Sequence, residues 1–210
     1  SKGFAVDLWV FEPEVVEQIA ELRENRLFLP GVTLSPNLTA STDLARVISG
    51  KGLVVVVVPS HLIRGTTAAM AGALGPETMV VSASKGIENG THLTMTGVLK
   101  ETLKLTDQRL GVLSGPSFAE DVARGLPTAV TLACDDEGLA RSIAHAIATP
   151  TFRPYVAGDM IGAEAGGEWM DLEMAEWQDP AWVSILTERR PYGDLGHSAL
   201  RWVTLTRRKP

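Results

Sequence analysis
The sequence predicts an α/β fold, with a parallel sheet covered by helices on both faces. Three observations carry that prediction. Short β-branched runs alternate with helical stretches up to about residue 150, the pattern of βαβ units. Leu53–Val58 is apolar without interruption, as expected of a strand buried on both faces. Several strand-like runs also end in small or glycine-bearing residues just before a helix start; the stretch LSGPSFAEDVARGLPTAV, residues 113–130, is the clearest. In parallel sheets such ends are where ligands sit.

Taken in order, Ala5–Phe11 is the first strand candidate, and Pro13, suited to a first helical turn, opens a helix running to about Glu24. Ser41 can cap a helix ending near Gly50, after which Leu53–Val58 reads as a central, doubly buried strand. Thr78–Ala83 is the third strand, Thr91 precedes a helix to about Leu105, and Leu110–Leu113 is the fourth strand. Ser117 followed three residues later by Glu120 has the form of a capping box, and Gly125 suits a left-handed helix end. Thr128–Ala133 is the fifth strand. The last regular helix, Glu137–Thr149, carries Leu139, Ile143, Ala146 and Ile147 on one face. Periodicity is lost over residues 168–197, and four of the five tryptophans fall between Trp169 and Trp202, which marks a different kind of sequence.

At 210 residues, 45% apolar and 21% charged, the chain has room for one full domain and part of a second. A net charge of −6 argues against a nucleic-acid partner, which selects for clustered Lys and Arg. The single cysteine, Cys134, excludes an internal disulfide framework and reads as a buried apolar filler. His61, His92, His145 and His197 are too scattered for a metal site, so none is expected. No apolar run is long enough for a bilayer and no leader opens the chain, so no membrane insertion and a cytoplasmic setting are expected.

The chemistry-bearing residues cluster where strands end. The second strand ends in Val58-Pro59-Ser60, the third in Ser82-Ala83-Ser84-Lys85-Gly86-Ile87-Glu88, and the fourth in Ser114-Gly115-Pro116-Ser117-Phe118-Ala119. Three such ends along one sheet edge would floor a crevice with Lys85 as its single cation. Small residues there let backbone approach a ligand and offer N–H donors. Each residue also has a plainer role: Ser117 as a helix cap, Gly86 and Gly115 as turn glycines, Phe28 as core, and His61 as a surface or capping residue.

These corners, in this order, resemble the bacterial type of NAD(P)-dependent glycerol-3-phosphate dehydrogenase. The resemblance extends through Asn25-Arg26-Leu27-Phe28-Leu29-Pro30-Gly31, Pro36-Asn37-Leu38, Thr42-Asp43-Leu44, Phe152-Arg153-Pro154-Tyr155 and Asp159-Met160-Ile161-Gly162-Ala163-Glu164, about residues 4–167 in all. It implies a Rossmann-like domain at residues 1–156, and a remnant of a helical substrate domain at 157–210, family-like to about 167. It also implies hydride transfer between NAD or NADP and C2 of sn-glycerol 3-phosphate, giving dihydroxyacetone phosphate, in the supply of glycerophospholipid precursors. By the same resemblance Lys85, Gly115 and Ser117 face the small phosphorylated substrate, while Lys85, Phe28 and Ala119 lie by the cofactor. Glu12, at the end of the first strand, is placed to accept ribose hydroxyls. That would favour NAD, but the family tolerates both cofactors, and the choice stays open. A homodimer is a further expectation.

Two departures from the family stand out. The chain starts at what corresponds to the family's second strand, so the glycine-rich pyrophosphate turn is expected to be missing, with a sheet edge left uncovered and low solubility as the result. Downstream, Gly166-Gly167-Glu168-Trp169-Met170-Asp171 puts Met170 where the family carries its catalytic lysine and Asp171 where it carries asparagine. Methionine cannot accept a proton, so no catalytic residue is intact on this reading and the chain is expected to be inactive as it stands. A frame-shifted tract over residues 168–197 would account for the change, as Ser198-Ala199-Leu200-Arg201 is again similar to a later family helix. The other readings are a ligand-binding or subunit-pairing fragment, or a relative acting on another 3-hydroxy acid or phosphosugar.

Overall fold
A computed structural model of the chain describes residues 2–166. The fold is Rossmann-like, with a mostly parallel five-stranded sheet and helices, and it begins with a separate two-stranded piece. In that piece β1 (Val6–Trp9) runs parallel to β2 (Leu38–Ser41), joined by α1 (Pro13–Leu22), whose Pro13 starts the helix as the sequence suggests. Val15 and Ile19 of α1 pack with Val10 into a small core over this pair.

The larger sheet holds β3 (Leu53–Val56), β4 (Met79–Ser82), β5 (Leu110–Ser114), β6 (Thr128–Cys134) and β7 (Phe152–Ala157), hydrogen-bonded in that order. Alternate side chains of these strands face opposite ways, and each face is covered. Val56, Val80, Val112 and Ala133 meet α2 (Leu44–Ile48), α3 (Ser60–Met70) and α4 (Met95–Leu103), while Met79, Val81, Leu132 and Cys134 meet α6 (Glu137–Ile147). Cys134 is buried as expected, and burial, with smaller contributions from Asp135 and Asp136, raises its thiol to about 11.

The structure corrects several expectations. The sheet is not wholly parallel: β6 runs antiparallel to β5, with Gly111 opposite Cys134 and Ser114 opposite Thr131, and β7 then runs parallel to β6. A connection made of short α5 (Ala119–Ala123) and two turns brings the chain back without a full crossover. The Leu53–Val58 run is not a central, doubly buried strand either. β3 pairs only with β4 among the described residues, and Val55 and Val57 are 45% and 68% exposed. Among the described residues the apolar β3 therefore has an unpaired edge.

Caps differ from expectation as well. Ser117 is not a capping-box residue: the N-cap of α5 is Phe118, which makes no side-chain cap bond, and the Ser117 hydroxyl donates to the Gly115 carbonyl (3.3 Å). Local side-chain-to-backbone bonding has won over capping there. For α2 the cap is Asp43 rather than Ser41, and for α4 it is Thr94 rather than Thr91, each accepting a backbone N–H three residues on. The sequence reading missed β2, α3 and β7. β2 has no apolar run, and β7 contains Pro154, which normally argues against a strand but is tolerated at a sheet edge.

Candidate active site
A small crevice of about 10 Å³, room for about one water, forms where β4 and β5 end. Ser84, Lys85, Gly86, Val112, Leu113 and Ser114 line it, together with Glu164 from the helical residues 160–166. Lys85 is the one cation among these lining residues and Glu164 the one carboxylate; of the three strand ends expected to floor the crevice, Val58-Pro59-Ser60 is not among them.

Each wall is fixed by local chemistry. The Ser84 hydroxyl accepts the Val58 N–H (3.0 Å) and donates to the Val56 carbonyl (3.3 Å), tying the end of β4 to the end of β3. Gly86 has φ +119 and lies against Ser60, where a Cβ would come within 2.7 Å of the serine Cβ, so this corner admits only glycine without rearrangement. Gly115, at φ +138, turns the chain against β6, and a Cβ there would meet Val130 Cα at 3.1 Å. Gly115 is buried next to the lining Ser114, whereas Ser117 and Ala119 are exposed further along the same corner.

Beyond Gly86 the loop folds on itself. Ile87 bridges Thr94, the Glu88 N–H donates to the Leu93 carbonyl (2.9 Å), and the Thr91 hydroxyl donates to Glu88 Oε2 (2.5 Å). Arg64 of α3 grips Glu88 with two parallel bonds of 2.8 and 2.7 Å and also reaches Glu101 of α4 (2.8 Å). This pairing with Arg64, helped by the Thr91 hydroxyl, holds the Glu88 carboxyl at about 2, and the Arg64 guanidinium is raised in turn.

Glu164 was quoted within its motif but given no role by the sequence reading. Its side chain is buried and accepts the Thr96 N–H (2.9 Å) and the Thr96 hydroxyl (2.5 Å), so a carboxylate seals the N-terminal turn of α4. Negative charge is favoured there by the helix dipole. The available signal was spacing: Met160 and Glu164 are four apart on one helix face and both are buried, which puts an acid on an apolar stripe.

Other predicted residues lie away from the crevice lining, on the two-stranded piece. Glu12 is half-buried at the N-cap of α1 and makes no cap bond. Nearby, Trp9 donates its indole N–H to the Thr42 carbonyl (3.0 Å) and meets Phe11 edge-on. Phe28 is 60% exposed on a loop held by Asn25, whose side chain accepts the Phe28 N–H, and by Glu24, which accepts the Gly31 N–H. That N–H, with Arg26 beside it, lowers the Glu24 carboxyl. Met170 lies outside the described residues. Among those described, no cluster of His, Cys, Asp or Glu could hold a metal ion, and no helix is long and apolar enough to cross a membrane.

A crevice beyond the carboxyl ends of parallel strands, with glycine corners and a lysine among its lining residues, is where ligands sit in Rossmann-like folds. The comparisons with known proteins narrow this. A family profile described as "NAD-dependent glycerol-3-phosphate dehydrogenase N-terminus" matches residues 1–140. The chain belongs to that family, which consists of NAD(P)-dependent oxidoreductases.

Among relatives, the glycerol-3-phosphate dehydrogenase [NAD(P)+] of Syntrophobacter fumaroxidans is 52% identical over 167 residues, 79% of this chain and 49% of its own length. That of Parvibaculum lavamentivorans is 46% identical over 200 residues, 95% of this chain and 57% of its own length. The second match carries the family likeness past residue 167, further than the motifs alone. A crystal structure of glycerol-3-phosphate dehydrogenase from Coxiella burnetii superposes with a TM-score of 0.72 at 30% identity, over 79% of this chain and half of that one. The chain thus spans about half the length of the curated relatives it matches.

Proposed function
We propose that this chain is the cofactor-binding part of an NAD(P)-dependent glycerol-3-phosphate dehydrogenase that interconverts sn-glycerol 3-phosphate and dihydroxyacetone phosphate in the cytoplasm, feeding glycerophospholipid synthesis. In this reading residues 1–156 form the cofactor domain and residues 157–210 begin the substrate domain. The observation that supports it most is Lys85 at the lip of the crevice, between the ends of β4 and β5.

The residues present fit the nicotinamide end of the cofactor. Gly86 and Gly115 hold positive-φ corners packed on Ser60 and Val130, and Ser84, Gly86 and Ser114 line the crevice that would receive the nicotinamide ring. No glycine-rich turn stands between a strand and a helix at the β1 or β3 edge, so the described residues supply no pyrophosphate seat of the usual kind. When bound, the cofactor supplies the hydride donor or acceptor. Lys85 would stabilise negative charge developing on the C2 oxygen, Ser117 and Gly115 would face the substrate, and Phe28, Ala119 and Glu12 would contact the cofactor. Glu164 keeps the α4 N-terminus satisfied beside the crevice, so that donor set is not left competing for the substrate's anion.

A second reading, an inactive fragment that binds ligand or pairs with another subunit, has the family resemblance in its favour, by which Met170 would fall at the position of the catalytic lysine. NADH and NADPH oxidation with dihydroxyacetone phosphate separates the two, comparing this chain with a version carrying a glycine-rich N-terminal strand and Met170→Lys with Asp171→Asn. Turnover by the restored version alone supports the family activity and an inactive chain. No turnover by a folded restored version removes the proposed substrate.

A further inference from the structure
We infer that Arg64 is a positioning residue for Lys85, holding the loop that presents the lysine by gripping Glu88 from α3. The inference rests on the reading of Lys85 given above. Lys85 sits between two anchors. One residue before it, Ser84 is bonded to the end of β3; three residues after it, Glu88 is bonded to Arg64. Between them Gly86 is wedged against Ser60, the first residue of α3. The first turn of α3 and the arginine on its next turn therefore hold one loop at two points about a helical turn apart.

The chemistry of the grip suits a locating role. A planar guanidinium with two parallel bonds to a carboxylate fixes direction as well as distance, which a lysine at the same position cannot do. The third bond, to Glu101, ties Arg64 to α4 as well, so the loop is referenced to two of the helices that cover this face of the sheet. The Glu88 side chain is largely buried under this contact, at 15% exposure, and Glu101 stays open at 55%. Glu88 is therefore the functional partner and Glu101 a support. Displacing a reacting or charge-stabilising group by about 1 Å costs on the order of 100-fold in rate, so the loop that carries Lys85 has reason to be held this firmly.

The test uses the full 210-residue chain. Its lysines are reductively methylated with 13C, and the Lys85 resonance, assigned by Lys85→Arg, is followed during titration with sn-glycerol 3-phosphate; amide exchange is measured in parallel. Arg64→Lys is expected to speed exchange of residues 86–93 at least ~10-fold, with β4 and β5 unchanged. It is also expected to raise the concentration that half-shifts the Lys85 resonance roughly 5-fold, because the loop must be ordered on binding. Glu101→Gln should change either by less than about twofold. Glu88→Gln added to Arg64→Lys should bring no further loss, since the two act as one contact. The inference is overturned if Arg64→Lys leaves loop exchange and the Lys85 response as they were, or loosens β4 and β5 equally. A wild-type Lys85 resonance that ignores the titrant instead sinks the proposed substrate, and the exchange comparison still decides whether Arg64 holds the loop.

Discussion

The two-stranded piece and the five-stranded sheet follow the same βαβ plan but are held by different means. In the larger sheet each strand is hydrogen-bonded to the next, and Val80, Leu110, Val130 and Leu132 reach 0% exposure under helices on two faces. In the smaller piece the core is Val10, Val15 and Ile19, and no ladder joins β1 to β3. What links them is side-chain work: the Lys51–Asp7 ion pair, Trp9 packed against the large core, and α2. The difference teaches that a strand gains its stability from both edges, so an interrupted ladder turns one sheet into a firm body and a lightly tethered one.

The largest effect should come from the firm body. Leu132→Ala is expected to cost about 2–5 kcal/mol in a urea melt, and a loss under about 1 kcal/mol would deny that this core is the main one. Ile19→Ala removes a comparable side chain from the tethered piece. Its effect should appear as faster amide exchange in β1 and β2 with β4–β6 unaltered; a uniform speeding would show that the two bodies open together. Helix caps come next. Asp136→Ala, which removes an acceptor for the Leu139 N–H, should cost about 1 kcal/mol, whereas Ser117→Ala should stay within about 0.5 kcal/mol because no cap bond is lost.

The ion pair between the bodies should matter least to overall stability. Lys51→Met is expected to cost at most about 1 kcal/mol, less at high salt, judged by melts at two ionic strengths. The Arg64–Glu88 contact offers a pH signature in place of a large energy. With its folded value near 2 and an ordinary value of 4.5, Glu88 contributes fully above pH 4.5, and that contribution is lost as pH falls towards 2. A side-chain NMR titration of Glu88 with its midpoint near 4.5 would contradict the contact.

Much of the architecture was legible because it is written in local chemistry. Pro13, the valine run and Gly125, which takes φ +71, each name their own conformation. Strand direction was not legible: nothing within Thr128–Cys134 says which way it runs, because that depends on the connection through α5. β2 was hidden by LTAS, which has too few apolar residues to alternate, and the edge position of β3 depends on what pairs beside it rather than on its own residues. At the site, the corners carrying Lys85 and Gly115 could be read because small residues cluster there. Arg64 could not, since an arginine on an exposed helix face looks ordinary until the fold brings Glu88 to it, and Glu164 showed only as an acid on an apolar stripe, with nothing to name Thr96 as its partner.

The reversal at β6 also changes the parity of the chain's path. In a run of parallel strands every strand ends at the ligand edge and every helix walks away from it. Once β6 turns round, β7 follows it and finishes at the far edge, so the helical residues 160–166 walk towards the ligand edge, and Glu164 arrives beside Lys85's crevice. One antiparallel strand thus acts as a switch in the track: it turns the helical residues 160–166 from a departing segment into one that approaches the crevice.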